Sequence, residues 1–151
     1  MSSGQPEAPE FLVDRSLGSV IVPQALAKLG YRVHTLESVY GKERARTLED
    51  ATWLEDAGRA GWLCLMKDRV TRRWENHQTL CRYNVKAFCA TNAHLTGEQY
   101  AQLFVHNINR IVLRGRQPGP FLYAVYRHTI VRLFPEGAPL SKRQAKLRSR
   151  K

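Results

Sequence analysis

The stretch FLVDRSLGSVIVPQALAKLGYRVHTL, Phe11 to Leu36, decides the fold. Its first four residues are a short apolar run closed by Asp14, and RSLGS follows as turn chemistry, so a buried strand feeds a turn. SVIVPQALAKLG then has the marks of a helix. Ser19 is the expected N-cap, Pro23 falls in the first turn where a missing N–H costs little, Val22, Leu26 and Leu29 share a face, and Gly30 ends it. YRVHTL, Tyr31 to Leu36, follows at once as a second strand. Strand, helix and strand in such close succession form a right-handed crossover between parallel neighbours.

The same alternation continues outward. ESVYGKERAR is a polar connection with no clear period, and TLEDATWLEDAGRAG is a helix in which Thr47 and Asp50 have the capping-box spacing and Gly58 and Gly61 lie near the end. WLCLM is a third strand whose unbroken apolar character fits burial on both faces. A helix is expected from about Val70 to Tyr83, and VKAFCA is a fourth strand. TGEQYAQLFVHNINRIVLRG reads as one long helix opened by a Thr96 and Gln99 capping box and closed by Gly115. After the QPGP loop, FLYAVYRHTIVRLF is either a hairpin or one strand broken near Arg127 to Thr129. The expected fold is α/β, a three-layer α/β/α sandwich with a mainly parallel central sheet, a C-terminal β-hairpin or strand and a basic tail. Residues 1–9 are expected to be a flexible leader, 10–135 the domain and 136–151 the tail.

With 151 residues, 43% hydrophobic and 25% charged, the chain has ordinary globular composition and length for one core. Its net charge of +11 is not ordinary, and a field of that sign attracts polyanions. Part of it lies in the terminal KRQAKLRSRK, where Lys142, Arg143, Lys146, Arg148, Arg150 and Lys151 occur without an acid. Cys64, Cys81 and Cys89 have no C-x-x-C spacing, which argues for a reduced intracellular protein and against structural zinc. No apolar run is long enough to span a bilayer and MSSGQPEAPE lacks the features of a signal peptide, so a cytoplasmic location is expected.

In a parallel sheet the functional crevice lies beyond the carboxyl ends of the strands. Asp14 closes the first strand and Asp68 follows the third, which brings both to that edge. Asp50 stands near the start of a helix and shares its apolar side with Trp53, Leu54 and Ala57, so it can complete the Thr47 cap, face the same crevice, or do both. Carboxylates crowded together repel, and a hard divalent cation such as Mg²⁺ is the usual remedy. There is no phosphate-binding G-x-x-x-x-G-K-[ST] or G-x-G-x-x-G motif. The five histidines are scattered, and Cys64 and Cys89 lie inside strands, which disfavours a cysteine nucleophile.

FLVDRSLG, VPQALAKLGYRVHTL and DATWLEDAGRAGWLCLMKDRVTRR, in this order, resemble the PIN-like domain family, in particular its VapC-type toxin ribonuclease branch. VKAFCATNAHLT and PGPFLYAVYR continue the likeness more loosely. The resemblance implies a parallel sheet between helices and an acidic site for Mg²⁺ or Mn²⁺, formed by Asp14, Asp50 and Asp68. It also implies hydrolysis of RNA phosphodiester bonds as the toxin of a type II toxin–antitoxin pair. Met66 stands where the family pattern has Thr or Ser, and in place of a fourth acid CATNAHLT offers only Asn92, a weaker neutral ligand.

On this reading Lys67, Arg69, Arg72 and Arg73 grip the RNA backbone, Arg15 and Ser16 contact a phosphate, and Lys142, Arg143, Lys146 and Arg148 add unspecific affinity. The expected partners are RNA, a cognate antitoxin protein and a second copy in a homodimer, with no membrane. The alternative is a non-catalytic nucleic-acid-binding or partner-binding module that keeps the fold with a degenerate site.

Overall fold

A computed structural model describes residues 8–67, 74–92 and 94–135. Strands β1 (Phe11–Val13), β2 (Val33–Thr35), β3 (Leu63–Lys67), β4 (Lys86–Ala90), β5 (Phe121–Val125) and β6 (Ile130–Phe134) form one sheet in the order β2-β1-β3-β4-β5-β6. All neighbours are parallel except β5 and β6, which pair as an antiparallel hairpin. The α/β reading with a mainly parallel sheet and a C-terminal hairpin is thus what the chain adopts.

Helices α1 (Ile21–Lys28), α6 (Gly97–His106) and α7 (Ile108–Gly115) cover one face. Val22, Leu26, Tyr100, Phe104 and Ile111 pack there on Phe11, Val13, Leu63, Leu65 and Phe88. Helices α4 (Asp50–Ala60) and α5 (Trp74–Tyr83) cover the other, where Trp53, Leu54, Ala57 and Leu80 meet Leu12, Cys64, Met66 and Cys89. Alternate strand residues go to opposite layers, the period of two that a strand imposes.

Several local expectations are corrected. Ser19 does not cap α1; Val20 occupies that place without a side-chain bond, and Leu29 is exposed because the helix ends before it. The polar ESVYGKERAR segment is helical, as α2 (Leu36–Tyr40) and α3 (Lys42–Thr47). Thr35 and Ser38 form a reciprocal capping box at α2, and Gly41 at φ 86 provides the bend between the two. Ser in the last box position hid the signal, which is ordinarily sought as Glu or Gln.

Thr47 ends α3 and therefore caps nothing; Glu49 is the N-cap of α4, and Asp50 is its first residue. The long C-terminal helix is broken at Asn107, a fully buried side chain between α6 and α7. Its amide donates to Leu103 O at 2.9 Å and Tyr126 O at 2.8 Å, tying the helix break to the exit of β5. Apolar spacing continues across the break, so periodicity alone cannot locate it. Trp53 is core as expected, whereas Trp62 is only half-buried and stacks on His34 at 3.9 Å between ring centres. Among the described residues no helix is long and apolar enough to cross a membrane.

Candidate active site at the carboxyl edge

The chain leaves β1 for β2 on one side and returns to β3 on the other, so β1 is a topological switch point with a crevice at its carboxyl end. Asp14 stands there. It continues the alternation of β1, after Leu12 in the α4 and α5 layer and Val13 in the opposite one, and its N–H donates to Leu65 O at 2.9 Å. Asp14 is only 3% exposed. A tight turn of residues Arg15–Leu17 follows, folding Ser16 back so that its hydroxyl donates to Asp14 Oδ2 at 2.5 Å.

Asp50 reaches the same place from the other direction. As the first residue of α4 it sits where the helix dipole favours a negative charge. Its Oδ1 accepts from Trp53 Nε1 at 3.0 Å, which satisfies the one polar atom of a fully buried Trp and fixes the carboxylate's orientation. The expected inward-facing role therefore rests on Trp53 and not on a Thr47 cap.

The two acids interact electrostatically. Burial raises the Asp14 pKa above its ordinary value and Asp50's charge pushes it further up, while the bonds from Ser16 and the charge of Arg15 pull the other way. No lysine or arginine among the described residues forms an ion pair with either acid. Two convergent hard oxygen donors, one of them buried beside a like charge, fit a Mg²⁺ or Mn²⁺ ion better than they fit each other. Among the described residues they do not form a group of three metal-binding side chains, and Asp68, the third acid of the sequence reading, lies outside those residues. Arg69, Arg72, Arg73, Lys142, Arg143, Lys146 and Arg148 lie outside them too.

Arg15, expected at a phosphate, is held by backbone carbonyls of the chain itself. One guanidinium nitrogen donates to Ala45 O and the other to Leu48 O at 3.0 Å, so it clamps the α3 end and the link into α4. Arg15 directly follows Asp14, and Leu48 lies two residues before Asp50, so this clamp joins the segments that carry the two acids. Ser16 is likewise engaged with Asp14.

Lys67 ends β3 with its ammonium 4.9 Å from the centre of the Tyr100 ring, on the α6 side of the sheet. Met66 points the opposite way, into the layer with Trp53, and is 1% exposed. Asn92 turns its side chain onto its own loop, where Oδ1 accepts from His94 N at 2.9 Å. Burial, and after it the charge of Asp14, pushes the Cys64 thiol up, which removes it as a nucleophile.

A conserved-domain model described as "PIN like domain" matches residues 9–92, and the chain belongs to the PIN-like domain family. It is 34% identical over 122 residues to a Mycobacterium tuberculosis protein named "Putative ribonuclease VapC45", covering 80% of this chain and 88% of that one. No solved structure matches the chain.

Proposed function

We propose that the chain is a metal-dependent endoribonuclease and the toxin component of a type II toxin–antitoxin pair, with residues 10–135 as the catalytic domain. The observation that carries this reading is the convergence of Asp14 and Asp50 at the switch point, with no lysine or arginine among the described residues ion-paired to either. The family membership and the name of the mycobacterial relative support it.

Asp14, Asp50 and Asp68 hold one or two Mg²⁺ or Mn²⁺ ions. When bound, such an ion polarises a phosphoryl oxygen and makes water a better nucleophile at neutral pH. The chain's own residues prepare the site. Ser16 keeps Asp14 in one orientation, Trp53 does the same for Asp50, and Arg15 holds the two segments together. Lys67, Arg69, Arg72 and Arg73 attract the backbone of the RNA, and the tail residues Lys142, Arg143, Lys146 and Arg148 add affinity that salt weakens. A cognate antitoxin protein and a second copy of the chain are its protein partners.

Purified protein is expected to cleave single-stranded RNA with Mg²⁺ or Mn²⁺, and to lose cleavage with chelator or with Asp68→Asn. RNA left intact in the presence of either ion overturns the nuclease reading. A second reading, a PIN-like module that binds without turnover, draws on the apolar burial of Met66 and the inward turn of Asn92. RNA binding that persists with no cleavage under any divalent ion decides for it. Absence of growth arrest on induction, in a protein that does cleave RNA, removes the toxin role alone.

A further inference from the structure

Beyond the acids, the same edge carries a groove of about 870 Å³ between α6 and the exits of β4 and β5. Helix α6 runs across the edge. Gly97 at its start lies against the Ile21 side chain of α1, and His106 at its end lies against His128, after β5. The walls are held by buried polar groups. Tyr100 donates its hydroxyl to Asn92 O at 2.8 Å, and the Asn107 amide grips Tyr126 O, so neither loop depends on a ligand for its position.

The lining sets hydrogen-bond donors among apolar side chains, Leu95, Leu103, Val105 and Val125. Arg127 and Gln102 are exposed in it, and the His128 Nδ1 and His106 Nε2 atoms lie 3.2 Å apart, so one ring donates to the other. Asn92 and Gln99 accept with their side-chain oxygens from the backbone N–H groups of His94 and Thr96, so what their side chains have left to offer is donors, the NH₂ groups. No Asp or Glu lines the groove among the described residues. A cleft whose polar groups include several donors and no carboxylate among the described residues, with an arginine on a basic protein, suits an anion with many acceptor oxygens, and its apolar side chains leave room for a base. Strands β4 and β5 are the second and third from β1, which at about 4.8 Å per strand sets the groove roughly 10–14 Å from Asp14.

We propose that this groove is a binding subsite for single-stranded RNA, taking the phosphodiester backbone that flanks the cleaved bond. Arg127 and the His106 and His128 pair contact phosphate, and Gln102 contacts the sugar or base edge. The proposal rests on the nuclease reading for the identity of the strand, but its binding test does not require cleavage.

The full-length protein is titrated, in chelator, into a fluorescein-labelled 12-nucleotide oligouridylate, with anisotropy read over a series of salt concentrations. The Arg127→Gln, His128→Gln double variant is expected to bind about tenfold more weakly. The slope of log K against log salt should become shallower by about 0.7 for each phosphate that the protein no longer neutralises. Gln102→Glu, an exposed helix position that tolerates the change, introduces a negative charge and is expected to weaken binding at least as much. Melting curves followed by circular dichroism identify any variant that fails to fold, and the other variant then decides.

Affinities and slopes equal to wild type in the folded variants overturn the subsite, including the case in which a protein partner is what fills the groove. Cleavage with Mg²⁺ or Mn²⁺ is scored separately. Loss of affinity in the variants of a protein that cleaves nothing keeps the groove and ends the nuclease reading. Unchanged affinity in a protein that cleaves RNA does the reverse.

Discussion

The carboxyl edge of the sheet has two unlike halves. At β1 and α4 the polar atoms are acids that repel each other, and each is held by a neighbour's donor. At β4, β5 and α6 they are donors on an open cleft, and the buried polar groups, Tyr100 and Asn107, lie behind it and bind backbone carbonyls. The first half stores repulsion that a bound cation would relieve; the second is satisfied as it stands. Function built on the acidic half should therefore trade against stability, whereas the exposed donors of the other half should tolerate change with effects on affinity alone.

The strongest way to break this contrast is Asp14→Asn. Cleavage should fall by about 10²–10⁴-fold, as when a central catalytic group is removed, while the protein becomes more stable at neutral pH. The sign follows from linkage. A folded-state pKa raised above 3.8 means that the native state binds the proton more tightly than the unfolded one. The Asp14 contribution is then most favourable below the unfolded pKa and is lost as pH rises through the folded pKa. Asn keeps the acceptor for Ser16 and removes the charge, so the melting temperature in chelator at pH 7 should rise by about 4 °C for each kcal/mol recovered. Mn²⁺ should raise the melting temperature of wild type and leave that of Asp14→Asn nearly unmoved. A variant less stable than wild type at pH 7 would show that the carboxylate is not strained.

Ser16→Ala tests whether the orientation of an acid matters once its charge is kept. Partners of metal-binding carboxylates are typically worth about 10–100-fold in affinity or activity. Mn²⁺ affinity, measured by calorimetry, should fall by that order while RNA binding in chelator stays at wild-type strength. A parallel drop in RNA affinity would mean that Ser16 contacts phosphate directly, as the sequence reading expected.

Arg15→Ala separates a clamp from a phosphate contact in the same way. Removing two bonds to backbone carbonyls should destabilise the protein by about 1–3 kcal/mol, and Mn²⁺ affinity should drop because the Asp50 segment is no longer tied to Asp14. Arg15→Lys reaches only one carbonyl at a time and should recover part of the stability. If both variants melt as wild type and bind only RNA more weakly, the guanidinium serves the substrate.

The strands were legible because FLVD, WLCLM and VKAFCA are apolar runs of strand length bounded by turns or helices, and the place of Asp14 at the carboxyl edge was legible because it follows such a run. Asp50 was legible as an acid on the apolar side of its helix, shared with Trp53, Leu54 and Ala57, but its bonding partner was not. Its spacing from Thr47 imitates a cap, yet what fixes it is the indole of Trp53, three residues on, an interaction that needs the core in place. The contacts of Arg15 could not be read either, because its acceptors are backbone carbonyls about thirty residues away and carry no sequence signal. The groove escaped for a related reason. Asn107 looks like one more polar residue on a continuous helix, and only the fold shows it binding the exit of β5 and bringing His106 to His128.

The smallest effect is expected behind the donor half, from Tyr100→Phe. The ring stays in the core and remains a face for the Lys67 ammonium; only the hydroxyl bond to Asn92 O is removed. Stability should fall by about 0.5–1.5 kcal/mol, the net worth of one such bond. Because Asn92 O lies on the loop that walls the groove, RNA affinity in chelator should weaken slightly, by no more than about threefold. Mn²⁺ affinity should not change, since the partners of Asp14 and Asp50 stay as they are. Hydrogen exchange at His94 N, which donates to the Asn92 side chain, should quicken if the loop loosens. A change in Mn²⁺ affinity instead would mean that the two halves of the edge are mechanically coupled through β3 and α6, and that the groove and the acids act as one site.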